Sequence, residues 1–406
     1  MRTDSGNSET SITAPPVVRD FLDSPCADTA TKLICLFAEL KDPEVIASLA
    51  IGLANSGTRL QPSGRTADVA STGGPSSLST LLCPLFLVCL GFTVPKLGVQ
   101  GRPAGGIDVM AQVPGFDINP PPDKVLEIIQ QCRFAHFLAD ASYAPLDQVL
   151  FRFRQEFGRQ GVPSLVIASI LAKKLAVGVR NTGLEIRVFS GGNFGESIED
   201  ARENAELFNQ VAERLSIRST CFLTDCSVPY QPYIGRGETL MALHELLHDT
   251  PSDWLLDHAL QCWRIATELA DTPEEPKSLR DVLPVAREVF ENHLVSHGTS
   301  PGEFLARVSE VHDQPRTSVE SPKNGFPSYD LKRIRDWIVE AQRADGQKRF
   351  SDPIGLTLLK KPGDPAVLGE PIFEVRSPSN RRISDAIKNL YFMAPEPTGP
   401  FQDIII

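Results

Sequence analysis

Apolar positions recur at helical spacing early in the chain, at Leu33, Leu36, Phe37 and Leu40 and again at Val45, Leu49 and Leu53, with Lys41-Asp42-Pro43 breaking the pattern. This predicts a small helical unit between Val18 and Asn55. The stretch before it, residues 1 to about 17, is polar and aperiodic, as expected of a disordered tail. From Leu78 to Val94 runs an uncharged apolar segment bracketed by two glycine pairs, Gly73-Gly74 and Gly105-Gly106. Ser79, Thr80, Pro84, Gly91 and Thr93 interrupt it and it falls short of a membrane span, so it reads as a buried helix behind a glycine loop. Small residues in such loops let backbone amides approach an anion or a sugar closely, which makes Asp68 to Phe116 the first place to look for a ligand.

Further on, Asp123 to Ala139 reads as an amphipathic helix entered from three prolines, and Pro163 to Gly178 as another, closed by its glycine. Leu184 to Phe189 alternates like a strand, Ser190-Gly191-Gly192 turns the chain, Ile198 to Leu215 returns to helical spacing, and Arg218 to Leu223 is a second strand candidate. Helices then extend from Gly237 to about Val311. Ser318 to Gly325 has the composition of a linker, and the rest, with short apolar runs at Ile354 to Leu359 and Pro371 to Val375, reads as an α+β appendage. Helices alternating with strands imply a largely parallel sheet covered on its faces.

Composition narrows the picture. At 406 residues, two domains, or one with a large insertion, are expected; 41% hydrophobic and 22% charged residues describe a folded globular protein. A net charge of −11 without a long Lys/Arg run argues against nucleic-acid binding. Eight scattered cysteines, with no CxxC pair and no signal peptide, read as reduced core residues of a cytoplasmic protein. No membrane association and no cofactor are expected.

The order of short motifs resembles the thymidine and pyrimidine-nucleoside phosphorylases over nearly the whole folded chain. The residues that carry it are Asp68, Ser71-Thr72-Gly73-Gly74, Ser79 five residues before Pro84, Gly105-Gly106-Ile107-Asp108, Val113-Pro114-Gly115-Phe116, Arg154, Ile167 to Ala176, Leu223-Thr224-Asp225 and Lys361-Pro362-Gly363-Asp364. The resemblance implies a small all-helical domain facing a larger α/β domain with a mixed or parallel central sheet, with a C-terminal α+β subdomain and a fold like that of the nucleoside phosphorylases and phosphoribosyltransferases. In this numbering the helical part is residues 18–57 plus about 146–177, the α/β part 58–145 plus 178–317, and the appendage 325–406. It further implies a homodimer and a pyrimidine nucleoside or base bound between domains, the reaction being phosphorolysis.

The resemblance places Arg154, Ser169 and Lys173 on the pyrimidine, where cationic and hydroxyl donors would meet the negative charge of a departing base. The plainer alternative is that Arg154 and Lys173 are solvated surface cations. Ser71, Gly73, Gly74 and Ser79 stand where phosphate or sugar would be held. The family's Asp-Lys-His-Ser-Thr-Gly-Gly is here Asp68-Val69-Ala70-Ser71-Thr72-Gly73-Gly74, so the usual Lys and His are Val69 and Ala70, and no catalytic residue can be carried over. Ala104 and Gly98 stand at the Thr and Ser positions of the second loop. Lys96 and Arg102 are candidate replacement cations, or surface charges. The expected function is therefore a phosphorylase-type pentosyltransferase with an altered phosphate or acceptor site, and the alternative is an inactive pyrimidine-binding or scaffolding relative.

One competing motif remains. His244-Glu245-Leu246-Leu247-His248 matches the zincin pattern, with His258 or Glu268 as a third ligand, though a plain amphipathic helix is the stronger reading. The loop Ser190-Gly191-Gly192-Asn193-Phe194, which follows Glu185 and Arg187 at positions where the family commonly has an Asp and a Lys, either lines the cleft or merely turns the chain.

Overall fold

A computed structural model describes residues 13–101, 103–140, 142–190, 192, 194–271, 277–346, 349–377, 387–397 and 399–406. The predicted tail therefore lies mostly outside the described residues. The chain opens with helices α1 (Pro16–Asp23), α2 (Ala27–Phe37) and α3 (Pro43–Asn55), the last started by Asp42, whose carboxylate accepts from the Glu44 and Val45 amides. Strand β1 (Ala67–Ser71) leads through the first glycine loop into α4 (Ser79–Cys89) and β2 (Val94–Gly98); the second loop precedes the short α5 (Ile107–Met110). Helix α6 (Pro122–Cys132) and strand β3 (Phe134–Leu138) follow, then α7 (Pro145–Glu156), α8 (Pro163–Ala176), β4 (Asn181–Val188), α9 (Ile198–Arg214) and β5 (Arg218–Asp225).

The long helix expected from Asp123 to Ala139 is thus two elements. Arg133 takes a left-handed conformation with φ +62°, which ends α6, and the next five residues are buried as β3, parallel to β2. A fully buried strand gives no alternation and cannot be told from helix by periodicity.

After β6 (Tyr233–Ile234) come α10 (Arg236–His248), α11 (Asp253–Ala270), α12 (Leu279–Ser296) and α13 (Pro301–His312). The C-terminal part contains β7 (Arg316–Glu320), β8 (Phe326–Tyr329), α14 (Leu331–Ala344), β9 (Gly355–Leu358), β10 (Pro371–Arg376), β11 (Tyr391–Ala394) and β12 (Ile404–Ile405). The first three residues of the expected linker are strand: Ser318–Glu320 end β7, which pairs antiparallel with β10. Its exposed polar residues mimic linker composition because β7 is an edge.

The central sheet has the order β1-β4-β5-β12, its first three strands parallel and β12 antiparallel on the edge. One face packs on α3, α8 and α9 through Leu184, Ile186, Val188 and Leu223; the other supports the core built on α4, α10, α11 and α12. A third core fills the C-terminal part around Ile334, Leu356 and Phe373. That part is tied to α10 by a fully buried Arg376, whose Nε and Nη2 donate to Glu238 at 2.6 and 2.9 Å and whose Nη2 also reaches Asp352 at 2.8 Å. Gly355 permits this approach, since a Cβ there would lie 1.7 Å from a Glu238 carboxylate oxygen. All eight cysteines are free. Among the described residues no helix is long and apolar enough to cross a membrane.

Three buried histidines, His136, His293 and His297, stack among Phe116 and Phe134 between β3 and α12. Burial pushes all three down, His297 to about 4, with neighbouring Lys96 and the other rings adding to the effect at His136 and His293. Because each is neutral when folded and takes a proton near pH 6.5 when unfolded, its contribution is complete above about pH 6.5 and is lost as pH falls toward 4. Urea unfolding followed by tryptophan fluorescence should show a loss of about 2 kcal/mol per histidine between pH 7 and 5. A flat profile over that interval contradicts their burial as neutral rings.

Candidate active site

Alternation along β4 sets the site. Leu184, Ile186 and Val188 face the helical layer, so Glu185 and Arg187 project from the opposite face, toward α4 and the first glycine loop. Both are buried, at 0% and 3% exposure. The Arg187 guanidinium presents five N–H donors. Nε donates to Glu185 at 3.1 Å; Nη2 donates to Glu185 at 2.9 Å and to Ser79 Oγ at 3.2 Å; Nη1 donates to the carbonyls of Gly73 and, at 3.0 Å, Gly74. Every donor is engaged. Gly74, at φ +114°, gives the room this requires, because a Cβ would lie 2.9 Å from both Arg187 Nη1 and Cys226 Sγ.

Two hydroxyls also donate to the Glu185 carboxylate. Ser79 Oγ donates to it at 2.5 Å and Thr224 Oγ1 at 3.4 Å, and the Tyr230 hydroxyl supports Thr224 at 2.9 Å. Burial works to raise the Glu185 pKa, but the Arg187 charge and the hydrogen bonds from Arg187 and Ser79 overcome it and hold the group below the usual carboxylate range. Two amides at the start of α4, where an anion could be received, are also taken. The Leu78 amide donates to His258 Nε2 at 2.8 Å and the Ser79 amide to Ser77 Oγ at 3.1 Å. Burial pushes His258 down to about 4, so its ring is neutral, with Nδ1 donating to Gln261 at 3.0 Å.

The other predicted residues fall as follows. Ser71 Oγ is partly exposed and accepts the Gly73 amide at 3.4 Å. Val69 is in the core and Ala70 packs against the helical layer. Lys96 does not reach Ser71 or Ser79: it is buried behind β1, donating to Asp68 Oδ1 and the Val69 carbonyl, both at 2.8 Å. Strand β2 lies beside β1, so its side chain follows Asp68 inward. Lys174 bonds the other Asp68 oxygen, making a buried pair of cations on one carboxylate. Arg102 lies outside the described residues. Ala104 is buried, and a Cβ at Gly98 would collide with Ile107.

Ser169 and Lys173 are brought together one turn apart on α8, Lys173 Nζ donating to Ser169 Oγ at 2.8 Å and to Asp147. Asp147, on α7, escaped notice in the sequence although it lies seven residues before Arg154, on the same helix face. Its other oxygen, Oδ1, is buried without a partner. Arg154 is not a surface cation. It is 2% exposed, and burial lowers it to about 10 despite Asp147. Its guanidinium bonds the carbonyls of Arg159, Gln160 and Leu165, closing the α7–α8 turn.

The zincin motif does not assemble. The His244 and His248 rings stack at 5.6 Å, Glu245 accepts from the Tyr233 hydroxyl and the Ser252 amide, and the His258 Nε2 lone pair is taken by Leu78. Among the described residues no three His, Cys, Asp or Glu side chains are placed to hold a metal.

Strand order, the glycine loops at the strand ends and the helical layer define a nucleoside-phosphorylase and phosphoribosyltransferase-like fold. The anthranilate phosphoribosyltransferase of Saccharomyces cerevisiae, solved with PRPP and Mg, superimposes with a TM-score of 0.50 at 14% identity, over 72% of this chain and 91% of that one. In sequence the chain is similar to the pyrimidine-nucleoside phosphorylase of Geobacillus stearothermophilus, 23% identical over 91% of this chain and 88% of the relative. The thymidine phosphorylase of Rhizobium meliloti is 24% identical over 81% and 78%. No protein-family model matches.

Replacing Arg187 by Met should leave the Glu185 charge buried and unpaired, at a cost of about 3–5 kcal/mol. Urea titration of this variant should show that loss, and the double variant Glu185→Leu with Arg187→Met a smaller one. A loss below about 1 kcal/mol for Arg187→Met means the pair is not dry.

Proposed function

We propose that this protein binds a pyrimidine nucleoside or free pyrimidine base on the helical side of its cleft, at Ser169 and Lys173, and that it does not use inorganic phosphate. Similarity to phosphorylases over most of the chain supports the nucleoside half of this reading. The observation that carries the other half is the engagement of every Arg187 donor. An oxyanion cradle turns N–H groups toward its ligand, whereas here the Gly73 and Gly74 carbonyls turn toward a cation already neutralised by Glu185. The buried ammonium groups of Lys96 and Lys174 are bound to Asp68. A dianion at Ser79 would have to displace a buried ion pair.

A second reading is pentosyl transfer to an acceptor other than phosphate. Lys173 favours it: its ammonium, held by Asp147 and Ser169, is partly exposed where that of Arg187 is buried, and with Ser169 it can turn to negative charge on a departing pyrimidine. In either case the helical layer, with Leu36 and Phe157 exposed, is the proposed dimer face.

Calorimetry with uracil, thymine and inorganic phosphate, each alone, separates the possibilities. The expected result is binding of a base, weakened about tenfold by Lys173→Ala, and no heat with phosphate. Base release from uridine or thymidine that depends on phosphate ends the proposal. Turnover with another nucleophile but not with phosphate selects the second reading.

A further inference from the structure

Outside the base site, the most complete ligand-shaped arrangement in the described residues surrounds a group of the chain itself. Ser79 Oγ at 2.5 Å and Arg187 Nε and Nη2 at 3.1 and 2.9 Å converge on Oε2 of the Glu185 carboxylate, and Thr224 Oγ1 donates to Oε1 at 3.4 Å. These donors come from the start of α4, from β5 and from β4, so the arrangement belongs to the tertiary structure and not to one turn of chain. Each donor is itself supported from behind. The Gly73 and Gly74 carbonyls hold Arg187, Tyr230 hydrogen-bonds Thr224 and stands against the Arg187 guanidinium, and Ser77 hydrogen-bonds Ser79. A guanidinium fork and a hydroxyl on one oxygen, with a second hydroxyl on the other, make a donor set that fits a planar carboxylate.

We infer that this is an oxyanion seat for a small monocarboxylate, occupied by the chain's own Glu185, and that Glu185 acts there as a built-in competitor against any external anion. This rests on the preceding reading only in its account of why phosphate is not used. The seat itself follows from the donor geometry. Removing the side chain beyond Cβ vacates the space of a carboxylate and leaves the three donor residues supported as before. A planar anion of one carbon, formate, returns one oxygen to the fork and Ser79 and the other to Thr224. No bond is made or broken in the exchange.

Glu185→Ala and Glu185→Ser are compared with the unmodified protein by thermal unfolding in sodium chloride, sodium formate and sodium phosphate at equal ionic strength and pH. Both variants should melt lower than the parent in chloride and should be raised by several degrees in formate, with saturation. The parent should not distinguish formate from chloride. Glu185→Gln, which keeps the seat filled, should also be indifferent. Variants that fold but respond equally to formate and chloride overturn the inference, as do variants that fail to fold even when refolded in formate. A phosphate response exceeding the formate response overturns the assignment to a planar carboxylate. Phosphate binding by the unmodified protein would instead strike at the proposed function, and leaves the formate response of the variants as a separate result.

Discussion

Parallel strands buried on both faces leave no solvent for a charge on their inward-facing positions, so β4 can carry Glu185 and Arg187 only as a pair and only with every remaining hydrogen-bonding site filled. That requirement organises what surrounds the pair. It fixes the carbonyl orientation of the first glycine loop, recruits Ser79 from the first turn of α4, positions Thr224 at the end of β5 and brings Tyr230 against the guanidinium. Glycine at position 74 is needed for the approach of Arg187 itself. The neutral state of His258 belongs to the same enclosure, because its unprotonated Nε2 receives the Leu78 amide.

A second buried charge cluster lies behind β1. Asp68 faces Lys96 from β2 and Lys174 from α8, and burial pushes the Lys174 ammonium down even though Asp68 draws it up. Asp68 is lowered in turn, since the two cations outweigh its own burial. The cluster ties the helical layer to the sheet edge where the glycine loop begins. Its cations are structural, and the loop in front of it is supported by Arg187. The charged groups of this region are therefore bound to one another, Arg187 to Glu185 and both Lys96 and Lys174 to Asp68.

Helical positions, the buried α4, the parallel strands and the glycine pairs were legible in the sequence because each leaves a local signature. The end of α6 was not, since a left-handed Arg133 and an all-apolar β3 continue the hydrophobic run without a break. Edge strand β7 was masked by its exposed polar residues. At the site, Ser169 and Lys173 were reached through the family resemblance, whereas Lys96 was misplaced because a position in a loop motif does not say on which side of a strand the side chain emerges. The role of Glu185 and Arg187 was within reach: once Leu184, Ile186 and Val188 are taken as one face of a strand, the two charges must share the other. What periodicity could not supply was the partner set, which is assembled from α4, β5 and the glycine loop.

The central claim is that the Glu185 and Arg187 pair, and not a bound anion, fills the space between the first glycine loop and Ser79. A crystal structure of the protein soaked with inorganic phosphate and uracil tests it most directly. The account predicts electron density for the pyrimidine against Ser169 and Lys173, no tetrahedral density at Ser79, and Arg187 still donating to Glu185. Phosphate lodged between Ser79 and the glycines, with Arg187 turned from Glu185 toward it, would contradict it.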